Sequence, residues 1–113
     1  MKKSLLLFFV LINCLNALTF EEVYTIQKNE GSMKALSGYK QLAQENDPKA
    51  IHELAIIYLT GDEIAKNINK AHELFKKASE LGNADSTYFL AKIYLSDKTI
   101  YFDEKKAYNT FVD

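Results

Sequence analysis

Two histidines open the search for chemistry. His52 and His72 each precede Glu and Leu, as His52-Glu53-Leu54 and His72-Glu73-Leu74. A His-Glu pair on a helix can ligate zinc and supply a general base, but that chemistry needs a second histidine one turn further on, and neither triplet has one. Both histidines are therefore read as polar positions on helix surfaces. Serine-based acyl transfer needs its nucleophile on a strained turn between flanking glycines, and no serine here has that setting. Asp62-Glu63 is an acidic pair, but the carboxylate spacing of a calcium loop does not follow it, so a solvated loop is expected. No phosphate-cradling glycine loop, dinucleotide glycine pattern or CxxC pair is present. No catalytic residue, metal or cofactor is expected.

Composition narrows the partners in the same direction. The chain has 113 residues, 48% of them apolar and 26% charged, with a net charge of −1. That is enough apolar material for one small folded domain. A charge so near zero offers no field to draw in nucleic acid or an anionic membrane.

The first seventeen residues, MKKSLLLFFVLINCLNA, stand apart. Lys2 and Lys3 precede an apolar run from Leu5 to Ile12, and a polar stretch then closes on the small residue Ala17. This is the order of a secretory signal, and the run falls short of the ~20 residues that span a bilayer. Cleavage after Ala17 is expected, giving an exported product, periplasmic or secreted, of net charge −3. Cys14, the one cysteine, would leave with this leader, so the mature chain has no disulfide. The alternative is a lipid anchor on Cys14, the one route to a membrane, although Asn13 stands where a lipoprotein signal carries a small residue.

The elements that must position any surface emerge when the sequence is laid over itself. At an offset of 36 residues Leu54-Ala55 falls on Leu90-Ala91, Tyr58-Leu59 on Tyr94-Leu95 and Ile64 on Ile100. Lys70-Ala71 falls on Lys106-Ala107 and Phe75 on Phe111, while Lys34-Ala35 and Tyr39 precede Lys70-Ala71 and Phe75 by the same step. A fixed period of this length is the mark of a repeat architecture.

Each unit reads as two helices. Asp47 is a capping residue with Pro48 at the first helical position, and Ala50, Ile51, Leu54, Ala55 and Tyr58 form an apolar stripe ending near Gly61. A second helix starts near Asn67, carries Ala71, Leu74, Phe75, Ala78 and Leu81, and ends at Gly82, where Asn83 repeats the role of Asp47. Ile64 and Ile100 are expected to tuck between the helices they connect. Ahead of these units, Thr19 and Glu22 make a capping box, and a break at residues 30–33 leads to a helix from Met33 to Gln44. Neither helix of a unit can hide its stripe alone, so the hairpins must stack.

These residues resemble the Sel-one-like repeat, a relative of the tetratricopeptide repeat. The resemblance is carried by Ala50, Leu54, Tyr58, Gly61, Ile64, Lys70, Ala71, Phe75, Lys77, Ala78 and Gly82, and in the next copy by Leu90, Tyr94, Ile100, Asp103, Lys106, Ala107 and Phe111. It covers residues 34 to 111. Ala55 and Ala91 stand where the family prefers glycine, and Glu63 and Thr99 replace a loop glycine, which is expected to strain or reshape those turns. The chain stops about one turn into what should be a longer helix, which leaves its outer face open to self-association, or marks a shortened copy of a longer repeat protein.

The resemblance implies an all-α fold, a right-handed α-solenoid of antiparallel helix pairs behind the signal peptide. Residues 1–17 would be the leader, 18–46 a capping hairpin with a partial repeat, 47–82 the first repeat and 83–113 a shortened second one. It also implies a noncatalytic scaffold or adaptor that binds a protein or peptide on a concave face lined by first helices. In this register that face holds Lys49, His52, Glu53, Ile56 and Ile57, then Asp85, Tyr88, Phe89, Lys92 and Ile93. A cysteine-rich branch of the family is associated with penicillin binding and β-lactamase activity. This chain lacks the repeat cysteines, so a hydrolase is only the alternative.

Overall fold

Five of the six helices among the described residues start where the side chain just ahead of them takes over amides that have no partner within the helix. The structure, a computed structural model, describes residues 17–96 and 101–112. The leader therefore lies, but for Ala17, outside the described residues, as do Thr99 and Ile100. Thr19 and Glu22 form the expected reciprocal box ahead of α1 (Phe20–Glu30). Asp47 accepts from the amides of Lys49 and Ala50 at 3.0 and 3.3 Å to open α3 (Pro48–Thr60), with Pro48 placed where no amide is needed. Asn67 accepts from Lys70 ahead of α4 (Ile68–Glu80), Asn83 from Ser86 ahead of α5 (Ala84–Leu95), and Asp103 from Lys106 ahead of α6 (Glu104–Val112).

The helix α2 (Ser32–Gln44) is the exception, because its first residue follows Gly31, which has no side chain to offer. Its free amides are met from the neighbouring hairpin: the Glu63 carboxylate accepts from Ser32 at 3.0 Å and from Met33 at 3.2 Å. Gly31 is what makes room, since a Cβ there would come within 2.3 Å of a Glu63 carboxylate oxygen. Glu63, expected to strain or reshape its loop, ties one hairpin to the next. It also avoids positive φ, which among the described non-glycine residues is taken by Asn46.

Asn46 belongs to a turn used twice. After α2, the Asp47 amide donates to the Leu42 carbonyl and the Asn46 amide to Ala43. After α4, 36 residues on, Asn83 donates to Ala78 and Gly82 to Ser79 in the same pattern. Both are Schellman closures, with a left-handed residue just past the helix: Asn46 at φ 61° and Gly82 at φ 92°. In each, the residue that completes the closure, Asp47 or Asn83, is also the cap of the next helix, so one helix passes to another with no spare residue. The longer connections repeat too: Asn67 donates to the Tyr58 carbonyl at 2.9 Å and Asp103 to Tyr94 at 2.7 Å.

All six helices among the described residues pack chiefly against the helix next in sequence, and no strand is present among those residues. This all-helical arrangement fits an α-solenoid, in which contacts run to neighbours rather than to a common centre. The core is accordingly a chain of two clusters. The first joins Val23, Ala35, Tyr39, Leu42, Ala50, Leu54 and Ile57, with Ile64 packed against it as expected. The second joins Ala55, Ala71, Phe75, Leu90, Ile93, Tyr94 and Ala107. Tyr58 and Leu74 touch both clusters and weld them.

Two substitutions test this account. Valine at the left-handed position (Asn46→Val) should lower unfolding free energy by about 1–2 kcal/mol, whereas Asn46→Gly should change it by less than about 0.5 kcal/mol, read from urea midpoints. Ala91 is fully buried, so Ala91→Phe should overpack its seam and cost about 1–3 kcal/mol. An unchanged thermal midpoint for that variant would show that the seam is not close-packed.

Candidate functional site

The first helices α1, α3 and α5 lie side by side, and contacts between their side chains define the candidate face. The Lys49 ammonium of α3 sits 5.9 Å from the centre of the Phe20 ring on α1. Further along, the His52 ring of α3 meets Phe89 of α5 edge-on at 5.6 Å. Phe89 in turn stacks flat on Phe75 of α4 at 5.3 Å, and Lys92 lies over both Phe89 and Tyr88 at 5.6 and 5.2 Å. Such ammonium–ring contacts fix a long side chain over its ring and leave the charge in water.

The ten residues expected on one face are divided by the structure. Lys49, Asp85, Tyr88 and Lys92 are exposed, while Glu53, Ile56 and Phe89 are half-buried. Ile57 and Ile93 are core residues, one in each cluster. The helical period explains them, since Ala50, Leu54 and Ile57, like Ser86, Leu90 and Ile93, follow steps of four and three along one stripe. Tyr88 is turned toward the last helix, with its ring edge-on to Phe111 at 6.1 Å.

His52 corrects the expectation of a surface histidine: it is buried, and its Nδ1 is 2.7 Å from the Ser86 hydroxyl. Ser86 is fully buried and stands 36 residues after the equally buried Ala50. Its hydroxyl must therefore find a partner inside the protein, and that position in the repeat was the available signal. Burial pushes the His52 ring below the ordinary histidine range, with the Asp85 carboxylate working against the shift. Burial, and then Asp85, pushes the Glu53 carboxyl up.

His72 is half-buried rather than on an open surface. Its ring stacks on Tyr101 at 4.0 Å, and Nε2 lies 2.9 Å from the Tyr94 hydroxyl. Burial lowers its pKa, helped by Lys106 and Lys76 and opposed by Glu73. The two histidines thus occupy separate places. Among the described residues no group of three His, Cys, Asp or Glu side chains could hold a metal, and no buried polar side chain lacks a partner. No helix among those residues is long and apolar enough to cross a membrane.

Beyond the face, a groove of about 720 Å³ opens between α4, α5 and α6, with Ser79, Thr87, Tyr88, Thr110 and Phe111 on its walls. This end of the molecule is rich in exposed apolar groups, Tyr108 at 69%, Phe111 at 49% and Val112 at 63%.

Stacked antiparallel hairpins, repeating at 36 residues down to their turn hydrogen bonds, define an α-helical repeat protein. The family model of the Sel1 repeat matches residues 48–83, which run from the start of α3 to the cap of α5. That stretch is therefore similar to one Sel1 repeat within an all-helical protein, and Sel1 repeats are typically protein-interaction modules. No curated protein and no solved structure matches the chain.

The His52–Ser86 bond should be expensive to break from one side. Ser86→Ala leaves a buried ring nitrogen without its partner and should lower unfolding free energy at neutral pH by about 1–3 kcal/mol in urea titrations. A loss below about 0.5 kcal/mol would mean that water replaces the hydroxyl.

Proposed function

We propose that the protein is a noncatalytic binding module that captures a peptide or helix of another protein on the face of α1, α3 and α5. The observation that carries this reading is the Lys92 ammonium held over the exposed Tyr88 and the half-buried Phe89. Rigid aromatic groups beside a fixed charge offer a partner apolar area and orientation at low entropic loss, the usual make-up of a binding hot spot. Lys49 and Asp85 add exposed charges of both signs on the same row of helices. That mixture suits a segment carrying apolar anchors and mixed charge, docked along the helices.

The same reading has the protein act after export, in the periplasm or outside the cell, or tethered there through Cys14. Its support is the order of Lys2-Lys3, the apolar run and Ala17 in the sequence.

Panning a displayed peptide library against the full chain tests the binding face. Peptides should be enriched, and their affinity should fall at least about tenfold for a chain carrying Tyr88→Ala and Lys92→Ala, with little change in thermal midpoint. Equal binding to both chains would move the site elsewhere. A collapsed midpoint would make the two residues structural.

A further inference from the structure

We propose that His52 is an acid-released latch: its neutral ring ties α3 to α5 through Ser86, and taking up a proton frees α5, and the second repeat with it, from the first. The ring is placed for this. It is buried at the seam between successive first helices, 2.7 Å from a fully buried hydroxyl. It is also edge-on to Phe75 at 5.5 Å and to Phe89 at 5.6 Å. A neutral imidazole with Nδ1 unprotonated accepts the Ser86 hydroxyl proton. Adding a proton at Nδ1 turns that acceptor into a donor. The serine hydrogen must then find another acceptor inside a helix, and a poorly hydrated positive charge is left against the stacked pair of Phe75 and Phe89.

The groups around the ring set the direction. From α5, Asp85 favours the charged ring, while Lys92 stands beyond it over Phe89. From α4 the ring meets Phe75. On its own helix the neighbour is Glu53, a carboxyl that burial, and then Asp85, pushes above its ordinary value. Burial outweighs Asp85, so the folded state holds the His52 proton less tightly than the unfolded chain, whose value is 6.5. The stability from a lowered histidine is complete above about pH 6.5 and is lost as pH falls below it. Glu53 runs the other way, because its folded value is raised above 4.5, and further acid relieves it. The latch therefore shows between neutrality and about pH 5.5. His72 is also lowered, but its half-buried ring lies against Tyr101, where water can reach a charge.

Amide hydrogen exchange of the full chain, corrected for intrinsic rates, provides the test at about pH 7.5 and about pH 5.5. In the wild type, opening of Ala84–Leu95 should rise severalfold on acidification, with a ceiling of about tenfold for one proton at one unit below the free ring's value. Glutamine can bond to Ser86 but cannot take up the proton, so His52→Gln should remove this response, while His72→Gln should keep it. A wild-type response that is absent, survives in His52→Gln or vanishes in His72→Gln would overturn the proposal. If His52→Gln does not fold, the wild type decides through ring titration by NMR. A midpoint of α5 opening that coincides with the His52 titration supports the latch, and one that follows His72 or neither ring overturns it. None of these readouts depends on a binding partner.

Discussion

An amphipathic hairpin in water exposes its apolar stripe unless a second hairpin covers it, and the rest of this molecule follows from how that cover is made. On the second helices the cover is a small residue followed four positions later by a ring: Ala35 and Tyr39, Ala71 and Phe75, Ala107 and Phe111. The alanine lets the facing helix approach, and the ring fills the space left beside it. Where a further layer lies on top, the ring vanishes from solvent, as Tyr39 and Phe75 do at 0% exposure. Phe111 holds the same position with no layer described beyond it, and stays 49% exposed while Ala107 is buried. The position in the stack, not the residue type, sets how much of the ring water sees.

A one-dimensional stack has little redundancy, so the polar ties between layers matter more than they would in a globular core. Two of those that cross hairpins in this chain involve residues that depart from the repeat. Glu63 reaches over to cap α2, a helix whose own preceding residue is a glycine. His52 reaches over to Ser86, where the repeat elsewhere places alanine. Each tie joins a residue that departs from the repeat to a neighbour able to use it. Such pairs give an internally repetitive sequence distinct, non-interchangeable seams.

The same geometry sets which side chains stay open along the first helices. His52 and His72 lie apart, each packed against aromatic rings. What remains open along the first helices is a row of ammonium groups, rings and carboxylates with fixed spacing. Sel1 repeats, the family whose model matches residues 48–83, are typically protein-interaction modules.

Much of this was legible from the sequence, because capping, closure and periodicity are local. Thr19, Asp47, Asn67, Asn83 and Asp103 mark helix starts by type alone, and the 36-residue period announces stacked hairpins before any coordinates are known. The first helices were less readable. In α3 and α5 apolar residues spread well beyond one stripe, so periodicity could not separate Ile57 and Ile93, which are core, from Ile56, which is half-buried. Nor could it show that His52 is buried, that Ser86 satisfies it, or that Glu63 caps a helix 30 residues upstream. Those pairings depend on how far one hairpin slides and turns on the next. That offset is set by the summed packing of many side chains, and only the assembled stack contains it.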